Sequence, residues 1–350
     1  MTAQDGTAGQ PLAFVSAEWP QAGHGALARL GYRVRAAGWG VTGAALSGPE
    51  LVAAAAGAAL LIVEVERVDD RVLAGLPGLA VVGTARGTPS NVDIEACTRR
   101  GVPVLYTPAR NAGSVADFVL GLIIACCRGI TRAERRLRGT GWLVGDQVPY
   151  LHFRGPELGG LTLGLVGYGA VGQAVAARAT AGFGMRVLYH DPYRPAGPGA
   201  VELATLLCTA DVVSLHCSRT PATLGLIDAA ALALMKPTGY LINTAGGGMV
   251  DEAALLAAVR SGALAGAALD VFATEPLPPD SPLLGCDRIL VTPHLAGAAQ
   301  DVATHHARLL CADLARLAAG EPPRHCANPE LAPPAPTGQA PIAARTASSN

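Results

Sequence analysis

The chain has 350 residues, of which half are apolar and 15% are charged, and its formal net charge is -1. That length is enough for two domains of ordinary size, and the near-neutral balance gives no electrostatic reason to expect a nucleic-acid partner. The only lysine, Lys236, precedes a proline, which excludes a phosphate-binding loop of the G-x-x-x-x-G-K-[ST] type.

Two series of short apolar segments alternate with helix-like segments, which predicts two parallel sheets in an α/β fold. The first series is 12–16, 32–37, 59–64, 79–83 and 102–106, and the second is 161–167, 185–190, 211–216, 239–244, 265–270 and 288–293. Strands that are apolar along their whole length fit sheets covered by helices on both faces. Between the two series we expect a long helical stretch, about 113–137, and then an irregular arm. A final helix is expected at about 297–319.

The cysteines and the apolar segments indicate in which cellular compartment the protein is expected. Eight cysteines are scattered without a C-x-x-C pair, which favours reduced thiols in a cytoplasmic protein over a disulfide framework or a zinc site. The start, MTAQDGTAGQP, does not resemble a secretory signal. The longest apolar run, 118–127, is too short to span a bilayer, so we expect a buried helix and no membrane partner. The composition of residues 1–10 and 329–350 predicts disorder.

The most specific local signal is a G-x-G-x-x-G motif, formed by Gly167, Gly169 and Gly172 between an apolar strand and an alanine-rich helix. The first glycine allows a tight turn, the second lets the backbone approach a pyrophosphate, and the third lets helix and strand pack closely. Asp191 ends the following strand, where an acid suits the ribose 2'-OH of NAD and would repel the 2'-phosphate of NADP. Arg194 could soften that preference, so NAD is the predicted cofactor and NADP the less favoured one.

Seven segments between about 60 and 320 resemble, in order, the motifs of the D-isomer-specific 2-hydroxyacid dehydrogenases. They are GTARGTPSNVD (83–93), TPARNAGSVADFVLGLIIA (107–125), the glycine motif, ADVVSLHCSRTPATLGLI (210–227), LINTAGGGMVDEAAL (241–255), ALDVFATEP (268–276) and VTPHLAG (291–297). The resemblance implies two doubly wound parallel-sheet domains. A Rossmann NAD-binding domain, 107–295, would be inserted in a flavodoxin-like substrate domain made of 11–106 and 296–328.

The resemblance also implies an activity: NAD-dependent interconversion of a small D-2-hydroxy acid and its 2-keto acid, in a homodimer with its active site in the cleft between the domains. Histidine titrates in the range needed for acid and base catalysis, and His294 follows the last strand of the second series. Glu275 resembles the carboxylate that pairs with this histidine. By resemblance, Asp270 holds the nicotinamide carboxamide, and the backbone around Arg86 and Gly87 receives the substrate carboxylate. Which 2-hydroxy acid is used does not follow from the sequence.

The other cofactor-binding residues are implied by the same resemblance, and no metal site is predicted. They are Ala170 and Val171 in the glycine motif, His216, Cys217 and Thr223 at or after the end of the third strand of the second series, Thr244 and Ala245 at or after the end of the fourth, and Ala296 two residues after His294.

One position departs from the family pattern. Relatives read N-T-A-R or N-x-S-R where residues 243–245 match, and here Gly246 stands at the arginine position. A guanidinium there would bind the keto acid's carboxylate, and losing it should cost on the order of 2.7–4 kcal/mol of transition-state binding. Three alternatives stay open. The protein is an enzyme with other contacts, using Arg86, Arg110 or Arg219; an impaired or altered copy; or a non-catalytic NAD(H)-binding sensor or scaffold protein.

Overall fold

The structure, a computed structural model, describes residues 9–195 and 197–333. Within these residues it contains eleven β-strands: β1 (Leu12–Val15), β2 (Arg33–Ala36), β3 (Ala58–Val63), β4 (Val81–Thr84), β5 (Val104–Leu105), β6 (Thr162–Val166), β7 (Arg186–His190), β8 (Val212–Leu215), β9 (Tyr240–Asn243), β10 (Gly266–Leu269) and β11 (Ile289–Val291).

The same residues form twelve α-helices and one short 3-10 helix. The α-helices are α1 (Gln21–Arg29), α2 (Trp39–Thr42), α3 (Gly48–Ala54), α4 (Asp70–Ala74), α5 (Ile94–Arg99), α6 (Ala112–Cys127), α7 (Ile130–Thr140), α8 (Ala170–Phe183), α9 (Leu203–Thr209), α10 (Ala229–Leu234), α11 (Glu252–Ser261) and α12 (Asp301–Ala318). The 3-10 helix is Pro329–Leu331.

The chain divides into two compact units. The first comprises the described residues up to Arg110 and from Gln300 onward, and the second runs from Asn111 to Ala299. Each contains one sheet in which all strands are parallel. The predicted α/β fold with two parallel sheets is therefore confirmed. The sequence-based domain boundaries, at 106/107 and 295/296, lie four residues before the two divisions seen here.

The first unit has the strand order β2-β1-β3-β4-β5. Its central strands β1 and β3 are buried along their whole length, because a hydrophobic core lies on each face of the sheet. One core contains apolar residues of α3, α4 and α5, and the other contains residues of α1 and α12. Helix α12, from the end of the chain, is thus part of this unit.

The second unit has the strand order β11-β10-β9-β8-β6-β7. Helices α6 and α8 contribute to the core on one face, while α9, α10 and α11 contribute to the core on the other. The chain moves from β6 outward to β7 and then returns to β8 on the other side of β6. The order therefore reverses beside β6, and ligands of such sheets bind outside the carboxyl ends of the strands at this point.

The helical stretch expected over about 113–137 consists of two helices. The segment forms α6 and α7, whose axes differ by 58°, because Gly129 between them adopts a left-handed conformation with φ 60° that ends a right-handed helix. No single helix in the described ranges is long and apolar enough to cross a membrane, and α6 with α7 meets that criterion only as a bent pair.

The prediction of disorder from residue 329 is wrong for its first residues. Pro329–Leu331 forms the 3-10 helix, which follows directly on the buried side chain of Asn328. The Asn328 amide accepts a hydrogen bond from the Val104 N–H at 2.8 Å and donates one to the Val102 carbonyl at 3.0 Å. These bonds fasten the end of the described chain to β5. Residues 1–8 and 334–350 lie outside the described residues.

Candidate active site

The carboxyl ends of the strands in the second unit meet along one edge of the sheet, where ligands of doubly wound sheets bind. The loops that leave this edge carry every residue of this unit that the sequence assigns to the site. They are Gly167, Gly169, Ala170, Val171 and Gly172 after β6, Asp191 after β7, His216, Cys217 and Thr223 after β8, Thr244 and Ala245 after β9, Asp270 and Glu275 after β10, and His294 and Ala296 after β11.

The turn after β6 has the packing that a pyrophosphate-binding turn needs. Gly167 has φ 95°, and a Cβ there would overlap the backbone of Cys217. A Cβ on Gly172 would overlap the carbonyl oxygen of Gly167, so both residues must be glycine. Gly169 differs because a Cβ there would meet nothing within 4 Å. It is the N-cap of α8, which begins at Ala170, so an anion could approach the helix N-terminus through the space beside it.

Asp191 is held against this turn. One carboxylate oxygen accepts a hydrogen bond from the Tyr168 N–H at 2.9 Å, and the other accepts one from the Tyr193 N–H at 3.0 Å. The rings of Tyr168 and Tyr189 stack with their centroids 4.0 Å apart, which adds a second connection between the turn and β7. The acid at the end of β7 therefore lies beside the glycine turn.

Two predicted cofactor-binding residues have polar atoms that are buried without a hydrogen-bond partner in the described structure. These atoms are Nε2 of His216 and Oγ1 of Thr244. Burial lowers the pKa of His216 to about 4, so its ring is neutral at neutral pH. Because buried polar groups normally have partners, such orphaned atoms at a strand edge fit a site that a polar ligand completes. Together with the space beside Gly169, they fit a dinucleotide.

Three other predicted cofactor-binding residues at this edge, Thr223, Cys217 and Ala245, differ from His216 and Thr244 because none has a buried polar side-chain atom without a partner in the described structure. The Thr223 hydroxyl donates to the Ser218 carbonyl at 2.8 Å and accepts from the Thr220 N–H at 2.8 Å. Burial raises the pKa of the Cys217 thiol, which therefore stays protonated at neutral pH. The Ala245 N–H donates to the Asn243 side chain at 3.0 Å. A role of these three predicted residues in cofactor binding stays a prediction.

His294 and Glu275 lie in direct contact. Nδ1 of His294 is 2.8 Å from Oε2 of Glu275, and the other oxygen of Glu275 accepts a hydrogen bond from the Phe272 N–H at 2.9 Å. The pair is accessible, since 65% of the histidine side chain is exposed. Because the pairing uses Nδ1, it leaves Nε2 as the nitrogen that could exchange a proton with a substrate.

Glu275 keeps its negative charge in this arrangement. Burial acts to raise the pKa of the Glu275 carboxyl, but the hydrogen bonds from His294 and Phe272 outweigh it, and the pKa lies below its ordinary value. At neutral pH the residue is therefore a carboxylate. Such a partner fixes the ring orientation of His294 and stabilises the imidazolium when it forms.

Asp270 has a role that the sequence interpretation missed. Its buried carboxylate accepts hydrogen bonds from the Leu295 and Ala296 N–H groups, both at 2.8 Å, and from the Thr292 hydroxyl at 2.6 Å. These bonds hold the loop that carries His294, whose backbone has the left-handed φ of 56° that is uncommon outside glycine. The signal in the sequence was a polar residue directly after the buried strand β10. Its predicted contact with the nicotinamide carboxamide stays a prediction.

Comparisons with known proteins agree with this geometry. A sequence model described as "D-isomer specific 2-hydroxyacid dehydrogenase, NAD binding domain" matches residues 120–296. The chain belongs to the D-isomer specific 2-hydroxyacid dehydrogenase family. It is 39% identical over 282 residues to the glyoxylate reductase of Thermofilum pendens, which is 78% of this chain and 82% of that protein.

In two further comparisons, the aligned region covers different shares of the other protein. The D-3-phosphoglycerate dehydrogenase of Mycobacterium leprae is 44% identical over 270 residues, which is 75% of this chain but only 49% of that protein, so this chain spans about half its length. Among solved structures, an NADPH-dependent glyoxylate/hydroxypyruvate reductase of Sinorhizobium meliloti, in complex with NADP and malonate, matches with a TM-score of 0.71 and 26% identity. That match covers 94% of this chain and 100% of the other.

The turn after β9 contains the departure from the family pattern. A Cβ on Gly247 would overlap the carbonyl oxygen of Phe272, and Gly248 has φ 77°, so both positions require glycine. The Asn243 side chain shapes the turn by donating to the Gly246 carbonyl at 3.1 Å. This buried asparagine is a second positioning residue that the sequence interpretation missed. Gly246 is buried, and its φ lies outside the left-handed region, so the backbone alone does not require glycine there.

The residues predicted to receive the substrate carboxylate belong to the first unit. The Arg86 carbonyl accepts hydrogen bonds from the Thr107 N–H at 2.9 Å and from the Thr107 hydroxyl at 3.1 Å, while Nη1 of Arg86 donates to the Glu64 carbonyl at 3.4 Å. Gly87, the next residue, is exposed. Their role stays a prediction.

The described ranges, 9–195 and 197–333, contain no group of three or more His, Cys, Asp or Glu side chains that could hold a metal ion. Arg110, one of the three arginines considered in place of the missing guanidinium, lies in the first unit. Arg110 pairs with Glu64 at 2.8 Å and with Nδ1 of His306 at 3.0 Å, and 17% of its side chain is exposed. Arg110 is therefore engaged in holding its own unit together.

Proposed function

We propose that the protein is a cytoplasmic, NAD-dependent oxidoreductase that interconverts a small D-2-hydroxy acid and its 2-keto acid. Family membership supports the general reaction, which is hydride transfer between a nicotinamide cofactor and a hydroxy acid. The cytoplasmic location is supported by the eight cysteines, all of which are free thiols, since an oxidising compartment would favour disulfides.

The observation that carries the proposal is the pair formed by His294 and Glu275, 2.8 Å apart on loops after adjacent strands. A non-glycine residue at φ 56° costs free energy, and glycine would adopt this conformation more easily than histidine does. The backbone conformation therefore does not explain why position 294 is a histidine. The Asp270 carboxylate holds this loop in place through three hydrogen bonds. Such support favours a role in which the position of the imidazole matters.

The chemistry assigned to these residues is acid and base catalysis. The bound reduced cofactor would supply the hydride that reaches the second carbon of the keto acid. His294 would donate the proton from Nε2 to the carbonyl oxygen, and Glu275 would hold the ring through Nδ1. In the reverse direction, the neutral imidazole of His294 would accept the hydroxyl proton. In the reducing direction, the hydride from the cofactor and the proton from His294 together convert the keto acid into the hydroxy acid.

We propose NAD as the cofactor in preference to NADP. The support is Asp191, whose carboxylate lies beside the glycine turn and would repel a 2'-phosphate. Gly167, Gly169 and Gly172 would admit the pyrophosphate at the start of α8. A structural neighbour bound to NADP shows that the fold also accepts the phosphorylated cofactor.

The substrate we propose is a small 2-keto acid, such as glyoxylate or hydroxypyruvate. Relatives are named for glyoxylate, hydroxypyruvate and phosphoglycerate, which are all short and anionic. Backbone N–H groups around Arg86 and Gly87 would donate hydrogen bonds to the carboxylate, as the resemblance implies.

We also propose a homodimer. The segment 141–160 exposes several large apolar side chains, each at least 48% accessible, and monomeric proteins rarely expose such a contiguous group. These are Trp142, Leu143, Val148, Tyr150 and Leu151. A second copy of the chain that covered this segment would remove them from water. Light scattering should give twice the chain mass for the wild type and a lower mass when Tyr150 and Leu151 are changed to serine.

The proposed reaction is tested with purified protein, NADH and four keto acids: glyoxylate, hydroxypyruvate, pyruvate and 2-ketoglutarate. The matched variants are His294→Asn and Glu275→Gln. Asparagine tolerates the left-handed conformation, so His294→Asn should fold and bind NADH like the wild type while its kcat falls by about 10²–10⁴-fold. A His294→Asn protein with undiminished turnover would remove the histidine from the mechanism.

Gly246 specifically favours a second candidate, a non-catalytic NAD(H)-binding sensor or scaffold. This candidate predicts tight NADH binding, no turnover of any of the four keto acids, and no effect of His294→Asn on binding. Turnover of any keto acid that depends on His294 would eliminate it. The same assay therefore separates the two candidates.

A further inference from the structure

Gly246 leaves space for a particular side chain of the same unit. A Cβ built on Gly246 would lie 3.1 Å from Cβ and 3.6 Å from Cδ of Arg219, with Sδ of Met249 at 3.4 Å. These contacts are all with side-chain atoms, whereas a Cβ on Gly247 would meet the backbone of Phe272. The side chain of Arg219 thus runs past the position that a side chain at 246 would occupy.

An arginine that starts at 219 has nearly the same reach as one that starts at 246. Its Cβ lies only 3.1 Å from the ideal Cβ position at 246, and the remaining side-chain bonds are the same in number. Two arginines in this space would crowd each other and would bring two positive charges together. With glycine at position 246, this space therefore holds one guanidinium, which Arg219 supplies from the loop after β8.

Strand order explains how residues 27 positions apart in the sequence become neighbours. Arg219 lies on the loop after β8, and Gly246 lies on the loop after β9, which pairs with β8 from Val212↔Tyr240 to Leu215↔Asn243. The next loops along the same edge, after β10 and β11, carry Glu275 and His294. Arg219 therefore lies at the same edge of the sheet as the acid/base pair.

The other candidate cations are less suited to the role. Arg110 is engaged by Glu64 and His306 in the first unit. Lys236, the only lysine, pairs with Asp211 at 2.7 Å, and Asp211 directly precedes β8, at the opposite edge of the sheet. Arg219 is exposed, and across the described part of the chain its guanidinium takes part in no hydrogen bond or ion pair.

We propose that Arg219 binds the carboxylate of the keto acid in place of the arginine that the family pattern has at position 246. Gly246 keeps the space beside it open. The inference rests on the proposed function, because it assigns a substrate-binding residue to that reaction. It also means that the departure at 246 relocates the guanidinium and leaves the protein a competent enzyme. A planar fork binds a carboxylate with two parallel hydrogen bonds, which a lysine ammonium cannot reproduce.

The test compares five purified variants with the wild type in two independent measurements. The variants are Arg219→Gln, Arg219→Lys, Gly246→Arg and the double variant Arg219→Leu with Gly246→Arg. Arg260→Gln is the matched control, because Arg260 is exposed and lies in the last turn of α11, away from the site edge. Each protein and the wild type are assayed for NADH-dependent reduction of glyoxylate and for binding of oxalate, a stable carboxylate, to the NADH complex.

Arg219→Gln should lower kcat/KM for glyoxylate by about 10²–10³-fold and weaken oxalate binding, while its NADH affinity stays that of the wild type. Arg219→Lys should recover only a small part of the loss. Gly246→Arg alone should not exceed wild-type turnover. The double variant should regain at least roughly tenfold over Arg219→Gln, since it restores one guanidinium in the family's position.

The outcomes separate this inference from the proposed function. If Arg219→Gln reduces glyoxylate and binds oxalate as well as the wild type and Arg260→Gln do, the inference is overturned and the reaction stands. If the wild type reduces no keto acid but binds oxalate in a way that Arg219→Gln abolishes, the proposed reaction fails and the carboxylate site stands. If the wild type neither turns over nor binds oxalate, both are overturned.

Discussion

The turn after β6 and the turn after β9 leave the same edge of one sheet, and each contains three glycines. In the first turn, Gly167 and Gly172 lie where an added Cβ would overlap backbone, whereas a Cβ on Gly169 would meet nothing within 4 Å. In the second, Gly247 and Gly248 are required by a close backbone contact and by a positive φ, whereas a Cβ on Gly246 would meet only side-chain atoms. Each turn therefore has glycines that the fold requires and one that it does not.

The glycine that the fold does not require is the more informative one in both turns. Beside Gly169 there is space for a ligand, and the charged neighbour of that turn is the Asp191 carboxylate. Beside Gly246 there is the side chain of Arg219, so the charged neighbour of that turn is a guanidinium. An acid suits a sugar hydroxyl and a guanidinium suits a carboxylate. Under the proposed function, the first turn would recognise the cofactor and the second would recognise the anionic substrate.

The largest effect that this comparison predicts is a loss of stability in Gly247→Ala. The added methyl group would overlap the Phe272 carbonyl oxygen, which lies in the segment that carries Glu275, and we expect a loss of about 3 kcal/mol in the free energy of unfolding. Urea denaturation followed by circular dichroism measures it. Gly246→Ala is the control and should lose less than about 1 kcal/mol, because the Arg219 side chain can shift. Equal losses in both variants would contradict the distinction between the two glycines.

The next effect concerns cofactor binding in Gly169→Ala. Since a Cβ there meets no protein atom, the free energy of unfolding should change by less than about 1 kcal/mol. The methyl group would occupy the space through which a pyrophosphate approaches α8, so the Kd for NADH should rise roughly thirtyfold. Quenching of protein fluorescence by NADH measures the Kd. An unchanged Kd would mean that the cofactor does not approach the turn at Gly169.

A smaller effect is expected on cofactor choice in Asp191→Asn. The amide oxygen can still accept the hydrogen bond from the Tyr168 N–H, so the turn keeps its shape while the negative charge is removed. The ratio of kcat/KM for NADH to that for NADPH should fall about tenfold. Arg194→Gln should shift the ratio in the opposite direction, because that residue is the cation nearest in sequence. A ratio that Asp191→Asn leaves unchanged would remove the acid from the basis of the NAD preference.

The features that could be predicted from sequence are those in which neighbouring residues determine the structure. Apolar strand segments followed by helices gave the two parallel sheets, and the glycine spacing after β6 indicated a turn of the kind found there. The bend between α6 and α7 was not predicted, because it depends on the left-handed φ of Gly129, which the residue types around it do not determine. The interaction of Asp270 with three groups of the His294 loop depends on the pairing of β10 with β11.

The contact of Arg219 with the space at Gly246 could not be inferred from either motif alone. Each residue lies in an irregular loop, and the two become adjacent only through the register of β8 with β9. The sequence left three arginines as alternatives for the missing guanidinium. Of these, Arg110 is paired with Glu64 and His306, whereas the Arg219 side chain passes beside the position that a Cβ at 246 would occupy.

The smallest effect concerns the pH dependence of the pair formed by Glu275 and His294. Burial acts to raise the pKa of the Glu275 carboxyl, but the hydrogen bonds from His294 and Phe272 prevail, so the folded pKa lies below the ordinary value of 4.5. The unfolded chain therefore binds this proton more readily than the folded one. The resulting stabilisation is present above the unfolded pKa and is lost as the pH falls through the folded pKa.

Glu275→Gln should accordingly be less stable than the wild type at pH 6, by less than about 1 kcal/mol because the carboxylate is partly exposed. The difference in the free energy of unfolding should shrink as the pH is lowered from about 4.5 to 3. Glu157→Gln, which changes an exposed acid outside the helices and strands, serves as the control and should show a difference that varies less with pH. A Glu275→Gln difference that grows on acidification would mean that the carboxylate is not stabilised by its histidine partner. His294 would then have to be oriented by the Asp270-bound loop alone.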